Sequence, residues 1–119
     1  MIGSISQVAS GVATHSDPQV ALDAVPAGAQ VLWLSGSWAE NLTVTNTAVK
    51  VIAQGYGVHL TGDLVFAPAA QNNDFASLRV QGNITLQTGS GGNFLKAWMD
   101  AGFAFLDQGV NNDPVVIAG

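Results

Sequence analysis

Acid–base chemistry in this 119-residue chain would have to come from eight carboxylates, two histidines and three cations. The acids are Asp17, Asp23, Glu40, Asp63, Asp74, Asp100, Asp107 and Asp113. They are dispersed, and most sit beside Gly, Asn or Pro. No Asp-Asp pair or Asp-x-Asp occurs, so no motif presents two carboxylates together to activate water or hold calcium. The tightest constellation is His59 with Asp63 and Arg79. There a histidine could act as base, and a guanidinium could stabilise developing negative charge. Against it stands the setting of His59 between Val58 and Leu60. That is the outward position of an alternating strand, where a solvated histidine is the plain reading. His15 and His59 show no ligand spacing for a metal. Cysteine is absent, which removes disulfides, thiolate ligands and thiol nucleophiles together. The expectation is a protein with no catalytic residue, no metal and no cofactor. Two sequons, Asn41-Leu42-Thr43 and Asn83-Ile84-Thr85, read as turn asparagines.

Composition narrows the partners. Lys50, Arg79 and Lys96 are the only cations and the formal charge is −5, which argues against phosphate-mediated nucleic-acid binding. Apolar runs reach only about four residues, too short for a membrane helix. No basic region followed by an apolar stretch marks a signal peptide. Charged residues are 9% of the chain and hydrophobic ones 48%. Polarity comes instead from 31 Ser, Thr, Asn and Gln, with 14 Gly. That is the surface of a turn-rich β protein with weak charge protection against self-association.

The elements that would position these residues read as a repeat. Gln54-Gly55, Gln81-Gly82 and Gln108-Gly109 are spaced by 27. Leu34, Leu60 and Leu86 are spaced by 26, as are Leu32, Val58 and Ile84. Each segment alternates apolar and variable, the period of a strand. The spacing divides into strand-like pieces at 31–35, 41–45 and 49–53, then 58–61, 63–67 and 76–81, then 84–88, 94–99 and 103–106. A further piece opens at 115. Gly, Asn and Asp cluster between them. Three strands per coil, stacked in register, make an all-β parallel β-helix of about three coils with leucine on leucine inside. Evenly spaced strands of a β-sandwich are the alternative. The segment 94–101 reads either as a strand with Phe94, Lys96 and Trp98 outward or as one helical turn.

A capping helix is expected over 16–26, with Pro18 as a first helical residue and Pro26 and Gly28 as its stop. It would cover the open end of the stack, leaving 16–119 as one β-helix domain. Residues 1–15 form an arm, read either as a strand across that end or as an extension to a neighbour. The stretch from Asp17 to Gly62 resembles the opening of a right-handed pectin-lyase-like β-helix. In that superfamily a helix of the form AIDAVPAG leads into a V-x-x-x-x-G-x-[YW]-x-E-N-[LV]-x-[IV] coil. The matching pieces here are 22–28 and 31–44. The resemblance implies fold more than function, because the superfamily holds lyases, hydrolases, esterases, phage tailspikes and non-catalytic virion parts.

By alternation Trp33, Ile52, Val65, Phe94, Trp98 and Leu106 face outward, with Leu106 in the column of Ile52. Exposed apolar area of this kind marks an interface, and Trp is the type most enriched at binding hot spots. The chain closes on a strand-like VVIAG with no visible cap. The expected function is therefore structural and non-enzymatic. It is that of a bacteriophage capsid cement or decoration protein on the virion surface, a homotrimer in contact with the major capsid protein. Its interface residues are Trp33, Ile52, Phe94, Trp98 and Leu106. The alternative is a carbohydrate-binding or tailspike-type module recognising host polysaccharide.

Overall fold

The computed structural model describes residues 4–7, 12–15, 18–53 and 58–118, and side chains for 18–31, 37–53 and 59–117. Strands β1 (Ser4–Gln7) and β2 (Val12–His15) precede helix α1 (Pro18–Ala24). The solenoid follows: β3 (Gln30–Trp38), β4 (Leu42–Val44), β5 (Lys50–Ala53), β6 (Val58–Leu60), β7 (Leu64–Phe66), β8 (Asp74–Val80), β9 (Ile84–Leu86), β10 (Phe94–Met99), β11 (Phe105–Asp107) and β12 (Asp113–Ala118). The larger sheet runs β12-β10-β8-β5-β3-β1-β2, with β6 beside β3 and β8, and the smaller runs β11-β9-β7-β4. Pairing within the solenoid is parallel, and a third side is closed by single bridges Thr47↔Gln71, Gln71↔Gly91 and Gly91↔Val110. The chain is thus a parallel β-solenoid of about four turns, one more than the spacing of leucines predicts.

The strands lie close to where alternation puts them, but the coils are cut elsewhere. Stacked positions Val31, Val51, Phe75, Leu95 and Pro114 are separated by 20, 24, 20 and 19 residues, not 26 or 27. Leu60 stacks beside Val80 in the larger sheet, whereas Leu86 stacks on Phe66 in the smaller one. Ile84 lies on Leu64 rather than on Val58. Gln81 follows β8 and Gln108 follows β11, so they belong to different sides. Gln54 and the side chains of Leu32, Trp33, Leu34 and Val58 lie outside the described residues.

What sets the true register is a corner. Ala48, Asn72, Gly92 and Asn111 share a positive φ (55–66°) at the same place in successive coils. The next residue in three of them is an asparagine. The Val49 N–H donates to Asn73 Oδ1, the Asn73 N–H to Asn93 Oδ1, and the Asn93 N–H to Asn112 Oδ1 (2.9–3.0 Å). Their amide groups donate in turn to the Asn46 and Ala70 carbonyls of the preceding coil. Asn73 and Asn93 are buried, and this ladder satisfies backbone groups that the turn would otherwise strand. At another corner a Cβ on Gly62 or Gly82 would collide with the carbonyl of Glu40 or Gly62 below it, so only glycine fits.

Inside, Leu42, Leu64 and Ile84 form one column and Val44, Phe66 and Leu86 the next, all fully buried. Phe75 meets Phe66 edge-on, ring centres 5.0 Å apart, across the two sheets. Each such side chain contributes roughly 1.5–3 kcal/mol.

The helix spans 18–24, within the 16–26 expected; residues 16 and 17 lie outside the described residues. Ala21 and Leu22 pack into the core. Within the arm β1 pairs antiparallel with β3, and β2 with β1.

Candidate functional site

Strand β10 alternates exposed and buried from Phe94 to Met99, which settles the segment as a strand. Leu95, Ala97 and Met99 face the core, while Phe94, Lys96 and Trp98 face out. Register brings Trp98 beside Ile117 on β12 and Arg79 on β8, and Lys96 beside Val115. Phe94 (37% exposed), Trp98 (41%), Val115 and Ile117 (52%) therefore share one outer face across two strands, with Lys96 between Phe94 and Trp98.

Beside it β8 bulges. Phe75 pairs with Leu95 and Leu78 with Ala97, so Ala76 and Ser77 both oppose Lys96. Ser77 takes a φ of 64°, the left-handed conformation of such a bulge. The extra residue opens a hollow of about 400 Å³ between Ala53, Ser77, Arg79, Lys96, Trp98 and Ile117.

At its rim Arg79 grips Asp100 with two parallel bonds, Nε to Oδ1 and Nη2 to Oδ2, both 3.0 Å. Gln81 donates to the same carboxylate. These hydrogen bonds, Arg79 first, hold the Asp100 carboxyl below its usual range, and the same bond to Asp100 raises Arg79. His59 pairs in register with Arg79, and its Nδ1 lies 3.3 Å from Ser37 Oγ. Its Nε2 is buried with no hydrogen-bond partner. Asp63 is not part of this group. Its Oδ1 accepts the Asn83 N–H at the corner leading into the smaller sheet, next to Asn41, whose Oδ1 accepts the Asp63 N–H. The expected trio of His59, Asp63 and Arg79 is thus divided, and Asp100 with Gln81 completes the Arg79 cluster instead. Coils of 26 residues give Asp100 no reason to meet Arg79; the observed register, in which Trp98 pairs with Arg79, brings Asp100 within reach of it.

Of the other expected interface residues, Ile52 is half-buried beside Ala76. Leu106 is half-exposed, but it lies on the outer face of the smaller sheet in a column with Thr43, Val65 and Thr85, not with Ile52. The parity that put Ile52 and Leu106 outward was right; the sheet assigned to Leu106 was not. The side chain of Trp33 lies outside the described residues.

Among the described residues no three His, Asp or Glu side chains converge as a metal would require. Among the same residues no helix is long and apolar enough to cross a membrane. Comparisons with protein-family models, with curated proteins and with solved structures find no match to this chain.

Proposed function

We propose that this chain is a non-enzymatic structural protein of a virus particle. In this reading it is a bacteriophage capsid cement or decoration protein of the pectin-lyase-like β-helix type. It assembles as a homotrimer on the major capsid protein at the virion surface and stabilises the head. The observation that carries the reading is the exposure of Phe94, Trp98, Val115 and Ile117 on one face of a hydrogen-bonded parallel sheet. Exposed apolar side chains on a stiff backbone associate at little cost in ordering, since the strands are already fixed. Trp98 is the natural anchor, being large, half-exposed and flanked by Ile117. Leu106, on the opposite sheet, faces a different neighbour. Size-exclusion chromatography with light scattering tests the reading. Trp98→Ala is expected to lower the association number threefold with an unchanged circular-dichroism spectrum. A variant that associates like the parent overturns it.

The hollow beside Trp98 favours a second reading, a carbohydrate-binding or tailspike-type module. A sugar ring could stack on the indole while Ser77, Arg79 and Lys96 donate hydrogen bonds. A glycan array separates the two: binding lost in Trp98→Ala, with self-association unaltered, supports the sugar.

A further inference from the structure

The hollow beside Trp98 gathers charge of one sign on a chain of the other. The formal charge is −5, from eight acids against three cations. Two of those cations, Arg79 and Lys96, line the hollow, and among the described residues no carboxylate lines it with them. The third, Lys50, has Asp74 as its partner in register. Lys96 has no acid in that relation. Its flanking residues are Ala76 and Ser77 on β8, Val115 on β12, and Phe94 and Trp98 on its own strand. An ammonium with no acid among these neighbours draws anions to one place on a molecule whose net charge repels them.

The polar side chains of the lining are mostly donors. Lys96 and Arg79 only donate, and Ser77 has the sole hydroxyl. The acceptor at the rim, Asp100, already takes bonds from Arg79 Nε, Arg79 Nη2 and Gln81. A neutral sugar presents hydroxyls, which call for acceptors as well as donors. The lining instead complements a group made of acceptors alone, an oxyanion. Arg79 spends its side edge on a planar carboxylate, that of Asp100. What is left is a set of donors on separate side chains: Nη1 of Arg79, the Lys96 ammonium and the Ser77 hydroxyl. Three separate donors match the three free oxygens of a phosphate monoester more closely than the two coplanar oxygens of a carboxylate, and lysine binds phosphate as a point charge.

The backbone places these groups. A regular ladder sets one residue opposite Lys96; the bulge sets two, and the added one, Ser77, carries the hydroxyl. Trp98, two residues along β10 with Ile117 beside it, supplies a flat apolar face for a ring. At about 400 Å³ the hollow has room for one ring and its phosphate, within the range of small-ligand sites of roughly 300–1,000 Å³.

We infer, on the carbohydrate reading above, that this hollow binds a sugar bearing a phosphate, with the ring on Trp98 and the phosphate held by Lys96, Ser77 and Arg79. The test is isothermal titration calorimetry of the whole chain at low salt. Glucose, galactose, mannose and N-acetylglucosamine are each titrated free and as the 6-phosphate, beside glucuronate and inorganic phosphate. At least one 6-phosphate is expected to bind about tenfold or more tighter than its parent sugar, than glucuronate and than inorganic phosphate. Lys96→Gln should remove that preference and leave affinity for the parent sugar unchanged. Trp98→Ala should bring the 6-phosphate down to the level of inorganic phosphate. Both side chains point away from the core, and circular dichroism checks that the variants keep the fold. Equal binding of free and phosphorylated sugar, or a preference that survives Lys96→Gln, overturns the inference and leaves the carbohydrate reading standing. Glucuronate as the tightest ligand does the same. Inorganic phosphate as tight as any 6-phosphate overturns it in favour of a bare anion site. Binding by no sugar, free or phosphorylated, overturns both.

Discussion

The helix end and the β12 end of this molecule face the same physical problem. A parallel solenoid exposes, at each end, a row of backbone groups and an apolar cross-section. At the helix end α1 lays Ala21 and Leu22 over the core, Gln19 mimics a strand against Thr43, and the Asn46 amide donates to the Leu22 carbonyl. The β1–β2 hairpin adds to β3 in the antiparallel sense. Toward β12 these devices thin out among the described residues. The position held by Gly62 and Gly82 becomes Phe103, and that of Asn41, Asp63 and Asn83 becomes Ala104, so one polar ladder stops. The asparagine ladder reaches Asn112 and has no further rung among the described residues. The contrast teaches that internal coils are held by reciprocal hydrogen bonds from both neighbours, a capped end by side chains that imitate a neighbour, and the other end from one side only.

The sharpest way to break that contrast is to remove matching rungs. Asn93→Ala strands the buried Asn73 N–H and leaves the Ala70 carbonyl with the Gly91 N–H alone, and should cost about 3 kcal/mol in urea unfolding. Asn112→Ala, one coil from the open end, should cost about 1 kcal/mol. Equal losses would show that the ends are as tightly held as the middle.

Next in size is the glutamine at the capped end. Gln19→Ala should destabilise by about 1 kcal/mol and speed exchange of the Thr43 amide. Gln19→Glu retains the acceptor for the Thr43 N–H while losing the donor to the Thr43 carbonyl, so it should keep most of that amide's protection.

The smallest effect is electrostatic and lies on the outer face, away from both ends. The Asp100 carboxyl is lowered in the folded state, first by its hydrogen bonds from Arg79, so its contribution is present above the ordinary carboxylate range. It is lost as pH falls below about 4 and the group protonates. Acid titration of thermal stability should show this component in the parent protein and not in Asp100→Asn. The step should be small, because the pair is open to solvent.

Much of this was legible without coordinates. Alternation in Leu64–Phe66 placed that strand and its faces, because the side-chain period of a strand is local and exact at two, whereas Phe94–Met99 stayed open between a strand and a helical turn until β10 was seen. The helix was legible from Pro18, Pro26 and Gly28. The coil length was not. Leu34, Leu60 and Leu86 recur by 26 through likeness of type, while the chain measures its turns by Ala48, Asn72, Gly92 and Asn111. A 24-residue offset from Val51 to Phe75 and the bulge at Ser77 further blur any fixed period. The Arg79–Asp100 pair was hidden for the same reason.

The residues alone thus determined that the chain is β-rich, that it folds back on itself in coils, and which side chains turn inward. Which coil lies on which, and so which side chains become neighbours, was decided only when the backbone closed. That choice depends on where left-handed corners and reciprocal asparagine bonds permit one turn to rest on the last, a condition met between distant segments and carried by no single one of them.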